Sequence, residues 1–474
     1  MKKSPYLNND QINKAKSYFN LGLSLLNRSN FSEAESEFRK GLSIDPNSLA
    51  FIINIGITLA KQKKTLQAEK FYCKAIKLKP DCLEAYINLA DINKYDRPKV
   101  ARKYLLKAIN IQPTNKNALD MLGFTWFMEK KFNLALEYFQ KAIDIDPHFQ
   151  RAMYHITAIF FITGKFDIAW KNYMQRYGVS GCDGSPIGTK IPALTGEINK
   201  KNSLLIWTDQ GLGDEILQLG IINEFINKYS IKVSVIVTSR LNRIIKRSFP
   251  NINFLSTNEA KELTTNFSYQ TPAISLSLYN KRDLSKPCTT KKYLHACENK
   301  TKELRNRYLN ISKNKPLIGI SWKSFHSEFG DRKSINLKKF LNKIIDLECH
   351  FINLQYGDTH EEIDILPPKF TSKLFTDLDV DPINDLDTFA SQVDALDLII
   401  TTSNTTAHFA GALGKKTLTL VPKIGPGWLW YWFDTQSHSP WYPRMKILRQ
   451  NDLGNWDQTL NQTQIELENF LKTL

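Results

Sequence analysis

The sequence predicts an α + α/β protein, an α-solenoid of helical hairpins followed by two open α/β units. Three observations predict it. Prolines recur at Pro46, Pro80, Pro113 and Pro147, which are 34, 33 and 34 residues apart. Small and bulky residues recur in phase with those prolines. Beyond about residue 200 the repeat gives way to short apolar strands alternating with helical runs.

The repeat has several columns. Small residues stand at Gly22, Gly56, Ala90 and Gly123, and again at Ala34, Ala68, Ala101, Ala135 and Ala169. A bulky residue follows at Phe38, Tyr72, Leu105, Phe139 and Tyr173, then a small one at Gly41, Ala75, Ala108 and Ala142. Small residues let two helices approach closely, the bulky one fills the gap to the next hairpin, and proline stops the second helix. Columns coinciding at a period of about 34 resemble the tetratricopeptide repeat. Segment 15–147 holds four repeats, and a fifth hairpin without a closing proline runs to about Tyr177. An array over 1–177 offers a groove to a protein or peptide partner; a bare scaffold or a homodimer contact is the alternative. His148 and His155 read as surface or packing residues.

A stretch dense in Gly, Pro, Ser and Thr begins at Gly178 and reads as a linker over 178–200. Strand patterns then appear at 203–208, from Ile231 and from Ile252, with a helical run starting near Asp214. A second series begins at Leu317 and continues from His350, over 397–401 and over 417–421. The reading is two Rossmann-like units, 201–312 and 313–474, joined by a charged helical segment and facing each other across a cleft.

Composition narrows the function. The net charge is +17, yet the basic residues are spread along the chain without a nucleic-acid-binding motif, so solvated faces and anionic small ligands are expected rather than nucleic acid. The six cysteines form no C-x-x-C pair, which excludes a zinc ribbon and a redox dithiol. No apolar run reaches membrane-spanning length and the start lacks a signal-peptide core, so no integral membrane segment and a cytoplasmic location are expected.

The chemistry falls on loops after strands. Gln210, Gly211 and Gly213 form a tight turn into a helix, and Asp214 at that helix start reads either as a cap or as a base. Lys323, Arg332 and Lys333 follow the first strand of the second unit. Ser403, Asn404, Thr405, Thr406 and His408 mark a helix N-terminus, a natural seat for phosphate. For His408, packing and donor contact are equal readings. Trp428, Trp430, Trp432 and Trp441 read as packing or as stacking surfaces, and the acidic triplet Asp377, Asp379 and Asp381 as a loop, not a metal site. An amphipathic helix is expected over 461–474.

These motifs in this order are LLIWTDQGLGDEI, the DRKS loop, FINLQYGD, DALDLIITTSNTTAHFAGALGK and SPWYPRMKILRQ. Together they resemble the glycosyltransferase family 9 type of GT-B enzyme, which includes the heptosyltransferases. The whole chain resembles the tetratricopeptide-fused bacterial members compared with O-linked N-acetylglucosamine transferases. The resemblance implies inverting transfer from a nucleotide-sugar, with neither metal nor cofactor. It implies Asp214 as base on the acceptor hydroxyl, and Lys333, or Arg332 beside it, on the donor phosphates. The acceptor implied is a protein hydroxyl, with a cell-surface glycan, or a non-catalytic scaffold, as the alternatives. Heptosyltransferases carry an aspartate where this chain has Ser403-Asn404, so ADP-heptose is not implied as the donor.

Overall fold

The computed structural model describes residues 7–174, 191–199, 201–208, 211–263, 266–281, 284, 288, 290–325, 330–423, 430–433 and 437–474. They form two compact units, 1–159 and 160–474.

In the first unit the hairpins are α1 (Asn9–Asn27) with α2 (Phe31–Ile44), and α3 (Leu49–Lys61) with α4 (Thr65–Leu78). Next come α5 (Leu83–Asn93) with α6 (Pro98–Ile111), and α7 (Lys116–Met128) with α8 (Phe132–Ile145). Each recurring proline lies two residues past the end of a second helix. The small and bulky columns meet face to face. A Cβ added to Gly22 would lie 2.5 Å from the Phe38 ring, one at Gly56 2.5 Å from Tyr72, and one at Gly123 2.8 Å from Phe139. In the third hairpin the pair changes together: Ala90 replaces glycine and Leu105 replaces the ring, both fully buried in one cluster. The first helix of a hairpin ends on a left-handed residue at Ser29, Lys63, Lys130 and Gly164, with φ of 63°, 63°, 58° and 76°. Only glycine adopts that conformation freely; another residue there costs roughly 1 kcal/mol.

Helix α9 (Gln150–Ile162) crosses the division between the units, and α10 (Phe166–Met174) belongs to the second. The repeat period runs to about Tyr177, whereas the compact unit ends at Ile159. The reason lies in the aromatic contacts of this segment: Phe161 meets Trp170 at 4.5 Å, and Phe166 sets its edge on Phe433 at 5.6 Å. Of the linker expected over 178–200, only 191–199 is described, and Cys182 lies outside the described residues.

The second unit holds two parallel sheets. The first half runs β1 (Ser203–Trp207), α11 (Leu212–Tyr229), β2 (Lys232–Ile236), α12 (Asn242–Ser248), β3 (Asn253–Leu255), α13 (Thr257–Glu262), β4 (Tyr269–Pro272) and α14 (Leu276–Asn280). Its sheet order is β3-β2-β1-β4. Helix α15 (Glu298–Ser312) leads to the second half, in which β5 (Leu317–Ser321), α16 (Gly330–Lys333) and α17 (Leu337–Ile344) are followed by β6 (His350–Asn353), α18 (His360–Asp364) and α19 (Pro368–Thr371). Then come β7 (Leu374–Phe375), α20 (Leu386–Asp394), β8 (Leu398–Thr402), α21 (Thr405–Ala412), β9 (Thr417–Val421), β10 (Met445–Arg449) and α22 (Asp457–Leu471). The order there is β10-β9-β8-β5-β6-β7. Its core joins Ile318, Ile320, Phe351 and Ile400 to Trp456 and Leu460 below the last helix.

Three strands escape the sequence pattern. β4 buries the polar Gln270 and Thr271, β7 is two residues long, and β10 carries Lys446 and Arg449 on an edge. The last helix starts at Asp457 rather than Asn461, because Thr459 and Leu460 already face the core.

Candidate functional site

In an open parallel sheet, ligands settle at the carboxyl ends of strands where the order reverses direction. Those points lie beside β1 in the smaller sheet and between β5 and β8 in the larger. Asp214 follows β1, the short helix α16 follows β5, and α21 follows β8.

Asp214 sits in the first turn of α11, where its Oδ2 accepts the Gly211 N–H at 3.2 Å. The cap reading is therefore correct as structure, and it fixes where the carboxylate stands. Its neighbour Glu215 ties two loops together, accepting from the Thr208 hydroxyl at 2.9 Å and the Thr238 N–H at 3.3 Å. Burial raises the Glu215 pKa against those hydrogen bonds.

Lys333, half-buried on α16, belongs to the other sheet's half and lies near enough for the Asp214 charge to act on it. Burial pulls its pKa down to about 8, while the nearby Asp214 carboxylate pulls it up. His408 is buried and held neutral, its pKa driven down to about 3 by burial and by the Lys333 charge. Its Nδ1 lies 2.9 Å from the Tyr442 hydroxyl, and its ring stacks on Trp432 at 5.3 Å. Gly213 leaves room for that imidazole, since an added Cβ would meet His408 Cδ2 at 2.8 Å. His408 thus packs between the Gly213 turn and the aromatic tail.

Asn404 is fully committed. Its amide donates to Ser321 Oγ at 2.7 Å and to the Lys323 carbonyl at 3.1 Å. Its Oδ1 accepts from the Thr401 hydroxyl and from the Thr406 N–H, both at 3.0 Å. It caps α21 and ties β8 to β5, with no hydrogen-bonding capacity left over. Ser403 Oγ accepts from the Trp432 indole at 2.8 Å. Thr405 is half-buried, while the Thr406 hydroxyl is buried with no hydrogen-bond partner among the described residues. Lys323 turns away from the group: its ammonium pairs with Glu362, which also accepts from the Trp322 indole at 2.8 Å. Arg332 stands next to Lys333 on α16. Gln210, His326 and Trp428 lie outside the described residues.

Beside this group a cavity of about 390 Å³ opens at the carboxyl ends of β6 and β7, lined by Asn353, Gln355, Gly357, Thr376 and Gln392 among others. Gln355 organises its wall, its Oε1 accepting from Ser321 Oγ, Trp322 N and Lys323 N at 2.7–3.0 Å. The Asp377 carboxylate at the rim accepts from the Tyr308 hydroxyl at 2.6 Å and pairs with Arg307 at 2.9 Å. Asp377 is thus a structural anchor. No group of three or more His, Cys, Asp or Glu among the described residues is arranged to hold a metal ion.

Sequence reasoning missed Glu215, Gln355 and Tyr442. All three lie inside motifs that were singled out, but nothing in the aromatic tail separates Tyr442 from its neighbours.

The depressed Lys333 pKa carries a stability prediction. Below pH 8 the ammonium is charged in both states and the folded one bears the desolvation. Between pH 8 and about 10.4 the folded state sheds the proton first, and the penalty fades. Lys333→Met is therefore expected to stabilise the protein at pH 7 by about 1 kcal/mol, a value kept small by remaining solvent contact. The gain should shrink towards pH 10.4 in thermal melts; a pH-independent difference, or a loss at pH 7, contradicts the burial of this charge.

Comparison with known proteins identifies the repeats of the first unit. The tetratricopeptide repeat model matches residues 15–48, 50–82 and 128–149. The N-terminal region is therefore an array of tetratricopeptide repeats, a protein-interaction scaffold. Protein FlbA of Caulobacter vibrioides is 23% identical over 319 residues, which is 64% of this chain and 52% of that protein. The chain thus spans about half the length of that curated relative. A MamA structure from Desulfovibrio magneticus RS-1 is 22% identical over 34% of this chain and 92% of its own, with a TM-score of 0.31. A thermophilic tetratricopeptide repeat protein of Thermus thermophilus is 15% identical over 36% and 93%, with a TM-score of 0.32. No helix among the described residues is long and apolar enough to cross a membrane.

Proposed function

We propose that the chain is a glycosyltransferase of the GT-B kind, moving a sugar from a nucleotide-sugar to a hydroxyl of a protein held by the repeats. The observation that carries the reading is that Asp214 and Lys333, each presented beyond the first strand of its own parallel sheet, lie near enough for one charge to act on the other. One is a carboxylate with hydroxyl-deprotonating chemistry; the other is a desolvated cation suited to a diphosphate.

On this reading Asp214 takes the acceptor proton as the hydroxyl oxygen attacks the anomeric carbon. The bond from that carbon to the diphosphate breaks, and the anomeric configuration inverts. Lys333 and the N–H groups opening α21 offset the charge gathering on the departing diphosphate. The Thr406 hydroxyl supplies a further donor there. The 390 Å³ cavity, bordered by Asn353, Gln355 and Gln392, takes the nucleotide base. Neutral His408 supports the turn that carries Asp214 without competing for the proton.

Nucleotide binding tests this seat. One of UDP, ADP or GDP, at about 100 times its Kd, is expected to raise the melting temperature by about 5 °C, and Lys333→Ala to abolish most of the shift. If no nucleotide shifts the melt, the donor seat is misassigned.

A further inference from the structure

We infer that Phe166, which opens the second helix of the fifth hairpin, is a positioning residue for the turn that carries Asp214, acting through Phe433 and the aromatic strap at 430–433. This deepens the reading of Asp214 as the base of a transfer reaction and rests on it.

The repeat register marks Phe166 out. Its counterpart one repeat earlier is Phe132, 34 residues back at the first position of α8. Phe132 packs on Phe127 of its own hairpin, with ring centres 6.0 Å apart. In the fifth hairpin the residue matching Phe127 is Phe161, which packs instead on Trp170 and Tyr173 at 4.5 and 6.1 Å. The half-buried Phe166 ring meets a single described ring, that of Phe433, edge to face at 5.6 Å. The same repeat position has thus exchanged a partner inside its hairpin for one in the aromatic tail.

Phe433 carries backbone strain. It is 5% exposed and stands at φ 48°, in the left-handed region that glycine enters freely and an aromatic residue does not. It follows directly on the single 3-10 turn Trp430–Trp432, a place where glycine or asparagine ordinarily ends a helix. A strained residue of this kind persists only where its surroundings over-determine it. Packing on Phe166 does so here; glycine would turn the chain as well but leave the strap without an anchor.

The strap is clamped to the site at its other end. Trp432 donates its indole N–H to Ser403 Oγ at 2.8 Å, and its carbonyl accepts from the Arg449 guanidinium. Its ring stacks on His408, and Tyr431 meets the same imidazole edge-on at 5.2 Å. His408 in turn fills the space that Gly213 leaves beside Asp214. The order of contact is Phe166, Phe433, Trp432, His408 and Gly213. Each link is a packed ring or a glycine with no side chain to yield, so a displacement at the first is passed along rather than absorbed.

The test uses the full chain and two readouts. Backbone hydrogen exchange over 211–216 reports the turn, and kcat for nucleoside diphosphate release from UDP-, GDP- and ADP-linked sugars reports the reaction. Phe166→Ala is expected to speed exchange at the turn about 5-fold while β5 keeps its wild-type rates. It should lower kcat about 10-fold with the donor KM within about 2-fold. Phe433→Ala should do the same, and the double variant should go no further than the larger single change, because one link is broken once. Phe166→Tyr keeps the ring and should return both readouts to within about 2-fold of wild type. The inference is overturned if exchange at the turn is unchanged, if it rises equally in β5, or if kcat holds while the turn loosens. Additive single effects, or no rescue by tyrosine, overturn it as well. A wild type that releases nothing from any donor sinks the sugar-transfer reading, whereas the exchange measurements still decide whether Phe166 holds the turn.

Discussion

Replacing Asp214 by asparagine is expected to lower the rate of sugar transfer by about 10³-fold, with nucleotide binding within about 3-fold of wild type. The choice of asparagine matters. Its side-chain oxygen can still accept the Gly211 N–H that Asp214 accepts at 3.2 Å, so the turn into α11 is preserved. What disappears is a carboxylate able to take the hydroxyl proton. An alanine variant would confound the two roles, because it also uncaps the helix, a change worth about 1 kcal/mol. The kcat for nucleoside diphosphate release separates base from cap. If Asp214→Asn keeps more than a tenth of the wild-type rate, Asp214 is only a cap.

Gly411→Ala is expected to destabilise the second unit by about 3 kcal/mol, at the upper end of what overpacking a core costs. Its added Cβ would lie 2.3 Å from Cγ of Tyr442, the root of a ring that is 1% exposed and has nowhere to retreat. Tyr442 is also the partner of His408, so the damage should reach the turn at Gly213 and Asp214. Gly196→Ala is the control, since nothing among the described residues lies within 4 Å of its added Cβ. Denaturant titration of the two variants should show a large fall in midpoint for the first and almost none for the second. Equal midpoints would mean that α21 and the aromatic tail are not packed as described.

The first unit could be read from the sequence because its hairpins solve one packing problem with the same columns. A glycine opposite an aromatic ring, repeated at a fixed interval, leaves few other interpretations. The apolar strands β1, β2, β5, β8 and β9 were legible for a related reason, being buried on both faces. β4 was not, because Gln270 hides it: its amide donates to the Ile191 carbonyl at 2.9 Å, a partner 79 residues away. Pattern reading sees a polar residue; only the tertiary structure supplies the acceptor. The same holds at the site. Asp214 and Lys333 were found through ordered motifs, and what each does locally followed from its loop. That Lys323 would be taken by Glu362, and Asn404 used up in joining β5 to β8, depends on side chains 39 and 83 residues distant. Tyr442 lies 34 residues from His408 in a stretch with no period to mark it.

The reading of the second unit as a sugar-transferring enzyme stands or falls on turnover. The direct measurement is nucleoside diphosphate release by the full chain from a panel of UDP-, GDP- and ADP-linked sugars, beside Asp214→Asn. One donor is expected to be consumed by the wild type at least about 100 times faster than by the variant. Release from none of them, or release at equal rates by both proteins, would contradict it.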